Sequence, residues 1–187
     1  MALVKMKKLL EQAETEGFGI GAFSVGNMEM IMGAVQAAEE LQTPIILQIA
    51  EVRLKNSPLE FVGPMMVSAA QKAKVDIAVH LDHGLTIETV KAALNMGFTS
   101  VMLDASASPF EENISKTREV VQLAKAFGAT VEAELGLVGG SEDGSSDHGI
   151  NCTNPYDAKT FVEQTGIDAL AIAIGNAHGN YPVAPRL

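Results

Sequence analysis

The run Val79-His80-Leu81-Asp82-His83-Gly84 is apolar until it meets an acid, an imidazole and a glycine in succession. A neutral imidazole such as His83 is a zinc donor, and Asp82 beside it could act as a general acid or base. Adjacent strand residues point to opposite faces, so both serve one site only where the backbone turns, and Gly84 is expected to make that turn. A buried hydrogen bond between the two side chains is the competing reading. A second apolar run closes in the same way, at Ile172-Ala173-Ile174-Gly175-Asn176-Ala177-His178-Gly179. Gly175 and Gly179 bracket His178 and would let backbone amides approach a phosphate or a metal, although a lone histidine there also suits a structural role. Glu132 and Glu134 lie two apart, hence on one strand face, where they repel unless a cation or proton intervenes. Asp104 follows Val101-Met102-Leu103. Each acid alone reads as a helix cap. Successive strand ends carrying Asp-His, Asp, Glu and His suit a divalent metal held by imidazole and carboxylate. His80 is expected to pack or hydrogen-bond inside, and His148, in a glycine-rich stretch, to be solvated. A third protein ligand is therefore a carboxylate such as Glu134, or absent.

The elements that must position these residues alternate. Strands are expected at Gly19–Ser24, Pro44–Ile49, Ile77–Leu81, Ser100–Leu103, Thr130–Leu135 and Ala169–Ile174, with helices at Met28–Leu41, Leu59–Lys74, Thr86–Met96, Phe110–Phe127 and Pro155–Thr165. Ile87, Val90 and Leu94 recur at helical spacing, as do Val120, Leu123, Ala124 and Phe127. Asn154-Pro155 offers an N-cap followed by proline at the first helical position. Gly97, Gly128 and Gly166 stand where helices should end. Strands apolar nearly throughout belong in a parallel sheet covered on both faces. This rhythm gives a single parallel α/β domain over residues 1–187, either an open doubly wound sheet or a closed barrel. Barrels place polar chemistry at the C-terminal ends of their strands. The irregular segment Gly136–Asn151 is expected to be a mobile active-site loop.

Bulk properties narrow the partners. The formal net charge of −10 opposes nucleic acid and anionic membranes but permits a small phosphorylated ligand, which local amides can hold. One cysteine, Cys152, excludes an internal disulfide and a cysteine-only zinc site. Neither a signal peptide nor a membrane-spanning run is evident, so a soluble, cytoplasmic protein is expected.

His80-Leu81-Asp82-His83-Gly84, the stretch from Gly97 to Ser106, Val131-Glu132-Ala133-Glu134-Leu135-Gly136 with Gly139-Gly140-Ser141-Glu142-Asp143, and Ala173-Ile174-Gly175-Asn176-Ala177-His178-Gly179 together resemble the class II, metal-dependent ketose-bisphosphate aldolases. Fructose- and tagatose-bisphosphate aldolases are members of that family. The resemblance implies a TIM (β/α)8 barrel, with about six of its eight β/α units here, and a homodimer or larger assembly. It implies His83 and His178 as ligands of a catalytic Zn2+, with Asp104 and Glu134 at an additional divalent-metal position. By the same resemblance Asp82 is the proton donor to the aldehyde oxygen, and Glu142 moves the proton at the ketone α-carbon. Asn27 falls in the family's Asn-x-x-Asn pattern and implies a substrate contact. Gly179 implies part of a phosphate and monovalent-cation site. The substrate would be a phosphorylated ketose, split to dihydroxyacetone phosphate and an aldehyde through a metal-stabilised ene-diolate.

The chain also departs from the family pattern. Alanine stands at position 50 where Gln-x-Ser is common, Pro182 where lysine often follows, and the pattern containing Asn27 reads Ser24-Val25-Gly26-Asn27. A His-Gly-Gly-Ser-Gly stretch carrying a third zinc histidine, and an Asn-x-x-Thr/Ser phosphate segment, are expected beyond Leu187. An open six-strand sheet would otherwise expose edges and barrel interior. The competing functional reading is a non-catalytic aldolase-like scaffold or partner subunit.

Overall fold

A computed structural model describes residues 2–140 and 151–179. Helix α1 (Met6–Glu16) precedes β1 (Gly21–Ser24), α2 (Met28–Leu41), β2 (Ile45–Ala50), a 3-10 turn at Glu51–Arg53, α3 (Leu59–Lys72), β3 (Ile77–Gly84), α4 (Ile87–Asn95), β4 (Ser100–Leu103), α5 (Phe110–Lys125), β5 (Thr130–Leu135), α6 (Pro155–Thr165) and β6 (Ala169–Ile172). The six strands pair in parallel and in chain order, β1 to β6. Each crossover carries a helix, so the expected barrel-type succession is present over six units. Strands β1 and β6 form the edges of the described sheet. Their exposure is high, with Phe23 at 47% and Ile174, just past β6, at 74%.

Residue alternation sorts the strands into two faces. Leu47, Ile49, Val79, Leu81, Val101, Val131 and Ala133 pack with Val62, Met66, Val90, Leu94, Ile114, Val120 and Phe161 of the helices. The opposite face lines the barrel interior. At its N-terminal end Ile46 and Ala78 pack against Met6 and Leu9 of α1, so α1 plugs the bottom. Above this plug, parallel register aligns Ser24, Gln48 and His80, and then Ala50 and Asp82.

The helix boundaries follow local chemistry. Asn154 caps α6 by accepting from the Tyr156 N–H at 2.8 Å, and Thr86 caps α4 through Thr89. Gly17 and Gly166 close α1 and α6 in the left-handed region. Helix α3 stops at Lys72, two residues earlier than expected, and α5 at Lys125.

Strand β3 runs past Leu81 to Gly84, and the expected turn lies one residue earlier than Gly84. His83 itself takes φ +40°, and the β3–β4 register shifts between Leu81 and Gly84. Such a bulge re-aims one side chain: His83, which simple alternation would send toward the helices, swings to the barrel mouth beside Asp82. Gly84 is needed for a different reason. A Cβ there would overlap the Met102 carbonyl oxygen of β4. Gly84→Ala is therefore expected to force β3 and β4 apart and cost about 1–3 kcal/mol, read as a lower denaturant midpoint. An unchanged midpoint would show that this close approach does not constrain the fold.

Candidate active site

The C-terminal ends of β3, β4 and β5 bring Asp82, His83, Asp104, Glu132 and Glu134 together. His83 Nδ1 lies 2.8 Å from Asp104 Oδ2. Asp104 is itself fixed, since its Oδ1 accepts from the Ser106 backbone N–H at 3.0 Å and hydroxyl at 2.7 Å. With Nδ1 bound to a carboxylate, His83 presents Nε2 to the mouth, the arrangement that orients metal-binding imidazoles. Asp82 Oδ1 is 3.9 Å from that Nε2. The ring of His178, after β6, meets the His83 ring edge-on with centroids 5.0 Å apart. One ligand atom from each of His83, Asp104 and Glu134 can be chosen so that all lie within 4.8 Å of one another. The two expected imidazoles and the two expected acids thus share one rim.

His178 is placed by backbone contacts. Its N–H donates to the Gly139 carbonyl at 2.8 Å, and a Cβ on Gly140 would overlap the His178 backbone. Gly175 and Gly179 have φ of 96° and 78° and face open space. On β5, Asn113 of α5 holds the Glu134 carbonyl at 2.9 Å. Thr153 donates to the Leu135 carbonyl and accepts from the Ala173 N–H, tying β5 to the segment after β6. Asn27 caps α2 through its Oδ1, which accepts from the Met30 N–H at 2.9 Å. It also lines a pocket of about 340 Å³ with Ser24, Ala50, Arg53, Asn56 and Ser57. Glu142 lies outside the described residues, as does His148.

The electrostatics record the crowding of acids. Burial opposes charge on His83, but the hydrogen bond to Asp104 and the charges of Asp82, Asp104 and Glu134 outweigh it and push its pKa up to about 9. Burial works against the Asp104 carboxylate too, yet hydrogen bonds from His83 and Ser106 hold its pKa below the ordinary value. Glu132 rises to about 7 through burial and the Asp82 charge, and Glu134 to about 7 through burial and the Asp104 charge. His80 falls to about 3 because it is buried and faces the positive charge of His83. It is therefore neutral, as the expected interior residue should be. Its Nδ1 pairs with Ser100 Oγ at 2.8 Å, and its Nε2 lies 3.4 Å from Glu132.

These residues fit a divalent cation. Without one, protons must hold together a buried group of carboxylates. A cation would replace those protons, and one imidazole among carboxylate oxygens is a donor set that zinc accepts.

Other residues of the site escaped sequence reasoning. Gln48 donates from Nε2 to Asp82 Oδ2 at 2.8 Å. Glu51 accepts from the backbone N–H groups of Leu85 and Thr86 at 2.6 and 3.1 Å and from both Thr86 and Thr89 hydroxyls. It staples the segment after His83 to the end of β2. Position at a strand tip was the available signal for both; Asp82 lies 34 residues from Gln48, and Leu85 34 from Glu51.

A β/α barrel whose mouth collects imidazoles and carboxylates falls in the class of metal-site barrels. Comparison with known proteins narrows that class. The family model described as "Fructose-bisphosphate aldolase class-II" matches residues 4–187, and the chain belongs to that family. It is 46% identical over 182 residues to a fructose-bisphosphate aldolase of Giardia intestinalis, covering 97% of this chain and 56% of that relative. It is 45% identical over 181 residues to one from Thermus caldophilus, covering 96% of this chain and 59% of that relative. The chain thus spans under two thirds of their length. Among solved structures, the YdjI aldolase from Escherichia coli K12 superposes with a TM-score of 0.85 at 41% identity, over 94% of this chain and 64% of that one. The aldolase of Campylobacter jejuni gives 0.77 at 26% identity, over 95% and 60%. The fold is the TIM-barrel fold of these aldolases, present over six of its units.

Proposed function

We propose that the complete protein is a zinc-dependent aldolase. It would cleave a phosphorylated ketose, of the fructose- or tagatose-bisphosphate kind, to dihydroxyacetone phosphate and an aldehyde, and run the reverse condensation. One observation carries this reading: His83, His178, Asp104 and Glu134 converge on one rim, with Asp82 3.9 Å from the His83 nitrogen that faces it.

His83 and His178 would hold the zinc, and Asp104 and Glu134 a second divalent ion. Bound there, the metal supplies Lewis-acid stabilisation of the negative charge that develops as the carbon–carbon bond breaks. The protein's own groups handle protons. In cleavage, Asp82 takes the hydroxyl proton as that oxygen becomes the aldehyde carbonyl, and in condensation it returns the proton to the same oxygen. Glu142 would exchange the proton at the α-carbon of the ketone half. Gly179 would contribute backbone to the phosphate site, with a monovalent cation beside it. Asn27 would contact the other end of the sugar from its polar pocket, where Arg53 offers a counter-charge. A Schiff-base route would need a lysine at the mouth, and none lies on any of the six strands. A homodimer or larger assembly and a cytoplasmic setting belong to the same proposal. No helix among the described residues is long and apolar enough to cross a membrane.

The test is cleavage of ketose bisphosphates by the complete protein, followed through reduction of released dihydroxyacetone phosphate. Turnover should vanish with a chelator and return with zinc. Zinc binding without turnover on any ketose phosphate would replace the aldolase by the scaffold reading.

A further inference from the structure

We infer that Gln48 is the positioning residue for Asp82: anchored on Ser24, its amide holds one carboxylate oxygen so that the other faces His83. The inference rests on the aldolase reading, in which that carboxylate moves the proton.

Parallel register sets the geometry. Gln48 on β2 aligns with Ser24 on β1 and His80 on β3, and Ala50, two residues on, aligns with Asp82. Gln48 therefore points into the barrel one layer below the acid. Its Nε2 reaches Asp82 Oδ2 at 2.8 Å and Ser24 Oγ at 3.3 Å. A carboxylate only accepts hydrogen bonds, so the NH2 end of the amide must face it. With Oδ2 held, Oδ1 stands 3.9 Å from His83 Nε2 and 4.0 Å from His80 Nε2. The acid has a neighbour that would turn it elsewhere: Glu132, on the same interior face, repels it. A neutral donor fixed on a strand resists that rotation without adding a charge to the metal site. Gln48 is thus a positioning residue, acting through Asp82 rather than on substrate.

The experiment compares the complete protein with Gln48→Met, Asp82→Asn and the double variant. Methionine keeps length and volume but cannot donate. Gln48→Met is expected to lower kcat about ten- to a hundredfold, to leave KM and zinc content unchanged, and to add no loss on top of Asp82→Asn. A crystal structure of Gln48→Met should show the Asp82 carboxylate rotated. Wild-type kcat in Gln48→Met, losses that multiply in the double variant, or an unmoved Asp82 would each overturn the inference. Should Asp82→Asn itself leave turnover intact, the catalytic reading of Asp82 fails, and the carboxylate orientation in the Gln48→Met crystal alone decides.

Discussion

Replacing His83 by alanine is expected to abolish tight zinc binding and, with it, all ketose-phosphate cleavage. The ring adjoins three other groups of the site: Asp104 through Nδ1 at 2.8 Å, Asp82 at 3.9 Å, and the His178 ring edge-on. Losing an orienting partner of a ligand typically costs ten- to a hundredfold in metal affinity, so losing the ligand itself should cost more than about a hundredfold. The pH dependence gives a second signature. A metal needs the neutral imidazole, and in the metal-free site His83 stays protonated up to about 9. Below that pH the metal must displace a proton, so apparent affinity rises with pH, by about tenfold per unit for each proton released. Glu134, drawn up to about 7, adds a further proton only below that value. One proton should therefore be released per zinc between pH 7 and 9, measurable by calorimetry in buffers of different ionisation enthalpy. His83→Ala should remove that release. A variant that keeps both affinity and proton release would exclude His83 from the metal site.

Why that ring sits where it does marks the boundary of what was legible in the sequence. The order of strands and helices follows from apolar runs punctuated by Gly97, Gly166 and Asn154-Pro155, which act as expected, while Gly128 lies three residues past the end of α5. The gathering of Asp82, His83, Asp104, Glu134 and His178 at one end follows from their shared position at strand tips. Helix α1 was missed, although Met6, Leu9 and Ala13 are its buried stripe. The turn expected at Gly84 falls at His83, because glycine signals backbone freedom in the sequence while the β3–β4 register shift at this point does not show there. The polar interior was half hidden as well. Gln48, His80, Ser100 and Glu132 alternate with outward apolar residues, and each run still reads as hydrophobic overall. Contacts such as Glu51 with Leu85 join residues that no local pattern links, and only the pairing of β2 with β3 reveals them.

Asp82→Asn is expected to separate chemistry from binding. Asparagine keeps the shape of the side chain and its place beside Gln48 but cannot take up the hydroxyl proton. A positioned general acid or base contributes about 10²–10⁴ in rate, so kcat should fall by that order. Zinc content should remain at the wild-type level, because Asp82 stands beside the ligand cluster rather than within it. KM should change little, since on the proposed reading the ketose would be held by its phosphate and by the metal rather than by this acid. The fold should tolerate the change: removing the Asp82 charge relieves the repulsion that helps draw Glu132 up to about 7. The variant should therefore unfold no more easily than the wild type at pH 8, above the value of about 7 to which Glu132 is drawn. Loss of zinc together with loss of turnover would make Asp82 a metal ligand instead of a proton carrier. Full turnover with full zinc would move the proton chemistry to another carboxylate of the mouth.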